Sequence, residues 1–574
     1  MEISGAQLLV KALRAEGVRD LFAYPGGSCL DMFDAISACE DINVVLPRHE
    51  QGLVHAADGY ARASGKTGVC LVTSGPGATN LVTGIATANF DSVPLVLITG
   101  QVPLSLIGND AFQEIDIVGV VRNICKYAVV VRERENLNTI LKKAFYIAAS
   151  GKPGPVLVDI PKDIQTAMGS AEYPEQVNVR GYKPNENVHK GQLKKAMKAL
   201  EKAYRPVFLL GGGVNVSRSQ RQMTKLLDRL QVPVVTTLMG KGAVPTDHPL
   251  YFGNIGLHGS YAANHAVSEC DLLFTIGCRF SDRIAGNLER FAPEATIVHV
   301  DIDPASISRN IEVDIPIVAD AGNAIEAMLE KAKPLAVGNW IDRLASWRSE
   351  YQISMHSRSA LNPEVIIKAI NERFEDFIMT TDVGQNQMWA SQWVELNEKR
   401  QLITSGGLGT MGFGLPSAIG AQLSNRKTRV ISINGDGGFQ MNSQELATAR
   451  LWELPIIIII MNNEYLGNVR QMQEMFYDGN YALTCLRMNR YCPKNCRGPN
   501  ENCPPLYVPD FVKLAESYDC RGVRVRSPED YHTALAEAEK ERVRPMLIEC
   551  MIGREDNIYP MVPSGYALDE MILE

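Results

Sequence analysis

A chain of 574 residues is longer than the roughly 250 to 300 residues at which single hydrophobic cores stop growing, so several domains are expected. Its hydrophobic content of 45%, charged content of 21% and net charge of -8 are typical of a soluble globular protein and provide no basic face for a nucleic acid. The longest apolar run, residues 454–461, is far shorter than the roughly 20 residues that span a membrane, and the start MEISGAQLLVKALRAEG lacks the layout of a secretory signal. We therefore expect a cytoplasmic protein that binds neither nucleic acid nor membrane.

Three stretches of the chain repeat one pattern, in which a short β-branched run ends in a glycine-rich turn and a helical pattern follows. The first, residues 1–168, contains GVCLVTSGPGATN; the second, residues 190–335, opens with RPVFLLGGG; the third, residues 360–574, contains RVISINGDGG and LPIIIIIMNN. Polar stretches at 173–191 and 349–360 separate them. The sequence thus predicts an α/β protein of three doubly wound parallel-sheet domains.

The third stretch places Gly435-Asp436-Gly437 after one apolar strand and Asn462-Asn463 after the next. Parallel strands joined by one helix end at the same edge of a sheet, so we expect the Asp436 carboxylate and the Asn463 amide to converge there. Glycines allow backbone N–H groups to approach a phosphate, and the two side-chain oxygens suit Mg²⁺. The alternative is that these residues only cap a strand and a helix. The order strand, helix, strand favours a site for a Mg²⁺-bridged diphosphate.

With these two motifs the chain resembles the thiamine diphosphate enzymes. Further segments occur in order along nearly the whole chain and are similar to the catalytic large subunit of acetohydroxyacid synthase, also called acetolactate synthase: YPGG, LPRHEQG, TSGPGATN, DAFQE, GPVLVDIPKD, CRFSDR, TDVGQNQMWA and TSGGLGTMGFGLPSAIGAQ. The resemblance implies that pyruvate is decarboxylated on thiamine diphosphate and joined to a second 2-oxo acid, pyruvate or 2-oxobutyrate, in the first common step of branched-chain amino acid biosynthesis. It implies thiamine diphosphate, Mg²⁺ and FAD as cofactors, with the first domain binding the pyrimidine, the central domain FAD and the third domain the diphosphate.

In the third domain, the resemblance implies that Asp436, Asn463 and the backbone oxygen of Tyr465 bind Mg²⁺. Met411 would lie between the two rings of the cofactor, and the Gly409 carbonyl would receive its amino group. The remaining residues implied to bind the cofactor are Val383, Gly384, Gln385, Asn386, Gly435, Gly437 and Gly438. Asn386 stands where the family usually has His, and its amide could still donate a hydrogen bond.

Glu50 of LPRHEQG matches the residue that hydrogen-bonds the pyrimidine nitrogen and so activates the cofactor. A solvated glutamate in the first turn of a helix is the alternative for this residue. Gly27, Gln113, Lys162 and Arg283 match the substrate cleft of the family. Arg283 is the candidate for holding the acceptor carboxylate, because a guanidinium meets a carboxylate with two hydrogen bonds. A surface ion pair is the alternative for Arg283.

The central domain resembles the FAD-binding domain of the same family. A glycine triplet after a strand is by itself a weak signal for a nucleotide. The residues that the resemblance implies for FAD are Lys152, Gly211, Gly212, Thr236, Thr237, Leu238, Gly256, Leu257, His258, Gly277, Arg279, Asp282, Asp301, Ile302, Asp320 and Ala321.

The resembled family binds its cofactor between domains of different subunits, so a homodimer or homotetramer is implied, and a small regulatory subunit is a further possible partner. Two other functions stay open. One is another thiamine diphosphate-dependent 2-oxo acid decarboxylase or oxidase. The other is a non-catalytic scaffold, against which the presence of Glu50, Asp436 and Asn463 argues.

The chain departs from the family pattern in further places. Met472 stands where a Trp usually favours 2-oxobutyrate, so the acceptor preference is open. A segment at about 485–506, TCLRMNRYCPKNCRGPNENCPP with its flanks, is inserted before PDF. It carries four cysteines that could bind zinc or an iron–sulfur cluster, form disulfides or remain free thiols: Cys485, Cys492, Cys496 and Cys503.

Overall fold

A computed structural model describes residues 2–487, 490–494, 497 and 507–574. These residues form three six-stranded parallel sheets with flanking helices, which confirms the predicted fold class. Of the insertion predicted at about 485–506, the larger part lies outside the described residues, including Cys496 and Cys503. The choice among metal, disulfides and free thiols therefore stays a prediction.

The amino-terminal part of the chain forms the first sheet. Its strands are β1 (Glu2–Ser4), β2 (Asp20–Tyr24), β3 (Asn43–Val45), β4 (Gly68–Val72), β5 (Leu95–Gln101), β6 (Tyr127–Val130), β7 (Pro155–Pro161) and β8 (Met168–Ser170). Its helices are α1 (Gly5–Ala15), α2 (Leu30–Ser37), α3 (Glu50–Ser64), α4 (Pro76–Thr79), α5 (Val82–Asp91), α6 (Ile117–Val121), α7 (Leu137–Ala149) and α8 (Lys162–Thr166). The parallel sheet has the order β3-β2-β4-β5-β7-β6, and β1 pairs antiparallel with β8.

The middle part of the chain forms the second sheet, in the order β11-β10-β9-β12-β13-β14. Its strands are β9 (Pro206–Leu210), β10 (Val234–Thr236), β11 (Tyr251–Asn254), β12 (Leu272–Ile276), β13 (Thr296–Asp301) and β14 (Ile315–Val318). Its helices are α9 (Lys190–Leu200), α10 (Gly212–Val216), α11 (Gln220–Leu230), α12 (Tyr261–Glu269), α13 (Asp282–Ala285) and α14 (Ala321–Leu329). The next helix, α15 (Gly338–Glu350), packs on this unit through Trp340 and Leu344.

The remaining elements build the third sheet, in the order β16-β15-β17-β18-β20-β19. Its strands are β15 (Phe377–Thr381), β16 (Arg400–Ile403), β17 (Arg429–Gly435), β18 (Ile457–Asn462), β19 (Arg521–Val525) and β20 (Met546–Met551). Its helices are α16 (Pro363–Arg373), α17 (Gln385–Trp393), α18 (Gly414–Ser424), α19 (Asp436–Phe439), α20 (Leu446–Leu451), α21 (Gly467–Phe476), α22 (Phe511–Ser517) and α23 (Pro528–Lys540).

Local sequence explains these elements. The central strands β5, β7 and β18 are buried at every residue, as expected for parallel strands covered by helices on both faces, and their sequences are nearly continuous apolar runs. Helix α1 begins with a capping box, in which Ser4 and Gln7 satisfy each other's backbone N–H groups.

Among the described residues, no helix combines the length and apolar character needed to cross a membrane.

Helices α3 and α18 join the first and third units by direct backbone contact. A Cβ on Gly420 would lie 1.8 Å from the carbonyl oxygen of Ala56, and a Cβ on Gly59 would lie 2.1 Å from that of Ser417. Apolar side chains of both units share one continuous core around this contact. Since Glu50 is the first residue of α3, this helix pair sets where Glu50 stands relative to the third sheet.

We expect Gly420→Ala to destabilise the protein by about 1 to 3 kcal/mol, because the added methyl group must push the two helices apart. Thermal unfolding followed by circular dichroism measures the change. The control is Gly338→Ala at the start of α15, where a Cβ would meet nothing within 4 Å. An unfolding temperature equal to that of the unmodified protein for both variants would contradict the contact.

Candidate active site

The third sheet brings two polar turns together at its carboxyl edge. Strands β17 and β18 are parallel neighbours in which Gly435 pairs with Met461, so the residues that follow both strands lie side by side. The buried Asp436 carboxylate accepts a hydrogen bond from the backbone N–H of Gly437 at 3.1 Å. It also lies near the backbone N–H of Glu464, which lowers its pKa while donating to Asn462 Oδ1 at 3.0 Å. Asp436 therefore reaches the turn that carries Asn463.

A network of amides holds Asn463 in place. Its Oδ1 accepts from the backbone N–H of Tyr465 at 3.1 Å, and its Nδ2 donates to Gln385 Oε1 at 3.1 Å. Gln385 in turn donates to Gln471 Oε1 at 3.1 Å and to the carbonyl of Asp556 at 2.9 Å. The turn around Asn463 is thus fixed by side chains of α17 and α21 and by a backbone carbonyl after β20.

The charges at this edge suit a cation. Burial raises the pKa of Asp436 to about 8, and the negative charge of Glu464 adds to this rise, although the two backbone N–H groups oppose it. A divalent cation would favour the ionised carboxylate and compensate the cost of its burial. Carboxylate, amide and carbonyl oxygens are the hard donors that Mg²⁺ prefers, so the donor set fits this ion.

Asp382, which our sequence reasoning missed, ties two loops of the site together. Its carboxylate is buried and accepts from the backbone N–H groups of Gly412, at 3.0 Å, and Gly414, at 3.1 Å. A Cβ on Gly438 would lie 2.1 Å from Asp382 Oδ1. Burial raises the pKa of Asp382 to about 6, against the effect of these N–H groups. Asp382 follows β15 directly, so the strand-end argument used for Asp436 would have found it.

The loop that Asp382 holds also carries Met411. The Met411 methyl group lies 3.6 Å from where a Cβ on Gly437 would be, so it stands directly beside the glycine turn. A second buried carboxylate, Asp91 of α5, supports the same loop by accepting from Gly406 N–H at 3.1 Å and Gly407 N–H at 2.8 Å.

The positions predicted after β15 lie at the same edge, with one difference in detail. Asn386 donates its amide hydrogens to the carbonyls of Asp382, at 3.0 Å, and Ile433, at 3.2 Å. Its Oδ1 faces Gly435 and lies 3.2 Å from the position that a Cβ on Gly435 would occupy. Asn386 thus turns an acceptor toward the glycine turn, whereas we expected a donor, because buried carbonyls nearby take both of its hydrogens.

Glu50 lies at the carboxyl edge of the first sheet, at the start of α3. Its carboxylate accepts from Asn80 Nδ2 at 2.9 Å. The turn before it is held from the third unit, because Glu445 accepts from the backbone N–H groups of Arg48, at 3.0 Å, and His49, at 3.1 Å. Glu445 is only 1% exposed, and no feature of its local sequence indicates this role.

The other predicted catalytic positions of the first unit lie at the same edge. The loop of Gly27 is joined to β4 through Ser28, whose hydroxyl lies 2.9 Å from that of Thr73. Lys162, at the start of α8, is ion-paired to Asp31 at 3.0 Å. Gln113 packs against the turn after β4, since a Cβ on Gly75 would lie only 2.9 Å from the Gln113 Cβ.

Arg283 stands apart from this group, on α13 of the middle unit. Its side chain is 66% exposed and lies 3.5 Å from that of Asp282. The Arg283 carbonyl accepts from Leu257 N–H at 3.1 Å, and the Leu257 carbonyl accepts from Val562 N–H at 2.8 Å. His258 Nδ1 lies 3.1 Å from the Pro560 carbonyl. The carboxyl-terminal tail therefore covers this turn.

The remaining positions predicted for FAD lie at or just after the carboxyl ends of the strands of the second sheet. These positions are Gly211, Gly212, Thr236, Thr237, Leu238, Gly256, Gly277, Arg279, Asp301, Ile302, Asp320 and Ala321. Lys152 reaches this edge from the first unit through an ion pair with Asp303 at 3.1 Å. Asp320 caps α14 through the N–H of Asn323, which is a structural role.

A crevice is expected between β9 and β12, where the strand order of the second sheet reverses. Here the turns touch: a Cβ on Gly211 would lie 2.1 Å from the Gly277 carbonyl, and Gly277 has a φ of +63°. Only glycine allows both the backbone approach and this conformation. Such a glycine cradle fits a nucleotide phosphate at the amino terminus of a following helix.

Comparison with known proteins shows which family the chain resembles. Thiamine pyrophosphate is another name for thiamine diphosphate. Three family models of thiamine pyrophosphate enzymes match the chain: the N-terminal binding domain at residues 3–120, the central domain at 193–328 and the C-terminal binding domain at 382–550. The chain is 42% identical to the acetolactate synthase isozyme 3 large subunit of Escherichia coli, covering 100% of this chain and 98% of the relative. It is 44% identical to the probable acetolactate synthase large subunit of Methanocaldococcus jannaschii, covering 99% and 95%.

The chain belongs to the acetolactate synthase large-subunit family of thiamine pyrophosphate enzymes. The resemblance found in the sequence is thereby confirmed. As a thiamine pyrophosphate enzyme, the protein binds its cofactor with the first and third units, whose family models are both named for this binding. The carboxyl edges that carry Glu50 and Asp436 lie in these two units.

We expect Asp382→Asn to weaken thiamine diphosphate binding about tenfold or more, because an amide cannot accept from all the N–H groups that the carboxylate now holds, and each tenfold step costs about 1.4 kcal/mol. Isothermal titration calorimetry with Mg²⁺ present gives the affinity. The control is Asp342→Asn on the exposed side of α15. Equal affinities for the two variants would show that Asp382 does not organise the site.

Proposed function

We propose that this chain is the catalytic subunit of an acetolactate synthase, which decarboxylates pyruvate and joins the two-carbon unit to pyruvate or 2-oxobutyrate. The meeting of Asp436 with the Asn463 turn at one sheet edge carries the proposal, together with full-length similarity to acetolactate synthase large subunits. In this role the enzyme serves the common early step of branched-chain amino acid synthesis.

We infer that Mg²⁺ joins the diphosphate of the cofactor to Asp436, Asn463 and the carbonyl of Tyr465. The buried carboxylate and the amide network around Asn463 support this ligand set. When bound, thiamine diphosphate supplies a carbon nucleophile that also accepts the electron pair left when CO₂ departs. The glycine turn of Gly435, Gly437 and Gly438 would donate backbone N–H groups to the diphosphate.

Glu50 would hold a proton in a hydrogen bond to the pyrimidine ring of the cofactor. Asn80 and Gly77 keep its carboxylate in place: Asn80 donates to one oxygen, and the other lies 3.4 Å from where a Cβ on Gly77 would be. Such an oriented acid raises the basicity of the cofactor's own amino group, so no separate base is required. Met411, beside the glycine turn, would support the bent shape that brings the two rings together.

Gly27, Gln113 and Lys162 would line the pocket for the 2-oxo acids, since they share the edge that carries Glu50. Arg283 would meet the acceptor carboxylate with its exposed guanidinium. Met472, partly buried in α21, takes the place of a usual Trp, and its flexible side chain imposes less shape on the acceptor than an indole.

FAD would occupy the carboxyl edge of the second sheet. The contact between the Gly211 and Gly277 turns supports a phosphate-binding cradle there. We further propose that two or four copies assemble, because the resembled family binds its cofactor between domains of different subunits, and that the protein works in the cytoplasm. The relatives are named large subunits, which makes a small regulatory subunit a candidate partner.

Glu50→Gln should lower the turnover number by about a hundredfold or more while leaving thiamine diphosphate affinity nearly unchanged, since the amide keeps the shape but holds no transferable proton. Acetolactate formed from pyruvate, converted by acid to acetoin, is the measured product. The matched control is Glu529→Gln, another first-turn glutamate, in α23. Release of acetaldehyde or acetyl phosphate without acetolactate by the unmodified enzyme would favour the decarboxylase or oxidase function instead.

The protein purified without added flavin should release FAD on heat denaturation, as measured by chromatography with fluorescence detection. The expected amount is stoichiometric with the chain, because the cradle at the second sheet is built into the fold. Protein that is active but free of flavin would contradict the assignment of this edge.

A further inference from the structure

A cluster of ion pairs lies beside the turn that we assign to Mg²⁺. Glu464 stands between Asn463 and Tyr465 and has a φ of +61°, a conformation that is unfavourable for a residue with a side chain. Its carboxylate is 13% exposed and lies 2.9 Å from Arg487 Nη1 and 3.0 Å from Arg554 Nε. A strained backbone position is thus held by two cations acting on one side chain.

The two arginines come from separate segments of the chain. Arg487 ends residues 484–487, which pair with the turn: Leu466 N–H donates to the Thr484 carbonyl at 2.9 Å, and Leu486 N–H donates to the Glu464 carbonyl at 2.8 Å. Residues 484–487 therefore run antiparallel to the turn, as the bridge between Tyr465 and Cys485 also shows.

Arg554 follows β20 and supports the turn from another side. Its guanidinium lies over the Tyr465 ring, 4.8 Å from the ring centroid, and its Nη2 donates to Cys485 Sγ at 3.8 Å. Arg487 and Arg554 are 28% and 25% exposed, so both ion pairs are partly shielded from water. Ion pairs in such surroundings contribute more than exposed surface pairs.

Residues 484–487 also reach the glycine turn. Leu486 Cδ1 lies 3.5 Å from where a Cβ on Gly437 would be, and Leu466 and Met411 meet the same point. One short segment therefore contacts both the turn at Asn463 and the glycine turn after Asp436.

We propose that Arg487 and Arg554 are positioning residues for the cofactor, which act through Glu464 to hold the Asn463–Tyr465 turn in the shape that binds its Mg²⁺. The inference rests on the proposed function, because it takes Mg²⁺ and thiamine diphosphate as the ligands. It also gives residues 484–487, at the start of the predicted insertion, a direct part in building the site.

A positioning role and a purely electrostatic role of the arginines predict opposite effects of their removal on Mg²⁺ binding. Loss of an arginine makes the surroundings more negative, which by itself would tighten binding of a cation. If the arginines act by holding the turn, loss of either one loosens it and weakens Mg²⁺ binding. The sign of the change therefore separates the two explanations.

The test uses calorimetry to measure how thiamine diphosphate binding to the full-length protein depends on the Mg²⁺ concentration. The variants are Arg487→Gln, Arg487→Lys, Glu464→Gln and the double variant of Arg487→Gln with Glu464→Gln. Arg487→Gln should raise the Mg²⁺ concentration at half-saturation about tenfold, with an unchanged unfolding temperature of the cofactor-free protein. Arg487→Lys should restore part of the affinity. The double variant should bind Mg²⁺ no more weakly than Glu464→Gln alone, since Glu464→Gln already removes the ion pair with Arg487 along with that of Arg554.

The matched control is Arg521→Gln. Arg521 is 36% exposed and also pairs with two carboxylates, Glu537 at 3.0 Å and Glu541 at 3.9 Å. It begins β19 and so lies at the opposite, amino edge of the third sheet. The Mg²⁺ concentration at half-saturation of Arg521→Gln should equal that of the unmodified protein.

Unchanged or tighter Mg²⁺ binding by Arg487→Gln would overturn the proposal, as would additive losses in the double variant. Arg554→Gln provides the second test, from a segment remote in sequence, should Arg487→Gln fail to fold. Failure of the unmodified chain to bind thiamine diphosphate at all would instead overturn the proposed function.

Discussion

Parallel pairing of β17 with β18 is the constraint on which the cofactor site depends. The register that sets Gly435 beside Met461 makes both strands end at the same level, so the buried Asp436 and Asn463 follow neighbouring strand ends at one edge of the sheet. A shift of one residue in this register would turn Asp436 or Asn463 to the other face of the sheet.

Buried carboxylates organise the loops around this edge. Asp382, Glu445 and Asp91 each accept hydrogen bonds from backbone N–H groups of a segment remote in the chain. A charged acceptor in a poorly solvated place binds such donors strongly, and it loses much by letting them go. Loops that carry cofactor and substrate residues are thereby held as firmly as helices, which a site for precise chemistry needs.

The contact of α3 with α18 links the two half-sites. Because glycines bring the helix backbones together, the first and third units share one core, and Glu50 and the glycine turn belong to one rigid arrangement within the chain. The second sheet is attached through several polar contacts, among them the Lys152–Asp303 ion pair, the hydrogen bonds between Thr246 and Leu396 and the carboxyl-terminal tail over the Leu257 turn. We therefore regard the middle unit as a separate body docked beside the first and third units.

Much of this could be predicted from the sequence by itself. The three α/β units follow from runs and turns that depend on neighbouring residues, and the spacing of the Asp436 and Asn463 motifs follows from one strand–helix–strand unit. The sequence also determined the family, since its motifs stand in order along the chain. The orientation of the Asn386 amide does not follow from the sequence, because it depends on which carbonyls lie beside it.

Only the tertiary structure decided which distant groups hold these motifs in place. Glu445 meets Arg48 across 397 residues, and Glu464 meets Arg487 and Arg554 from two different segments. Contacts of this kind leave no periodic signal, because any acidic residue at a turn has the same local pattern whether it is solvated or buried against a partner. Burial and distance determine the strength of such pairs, and both arise only when the chain has folded.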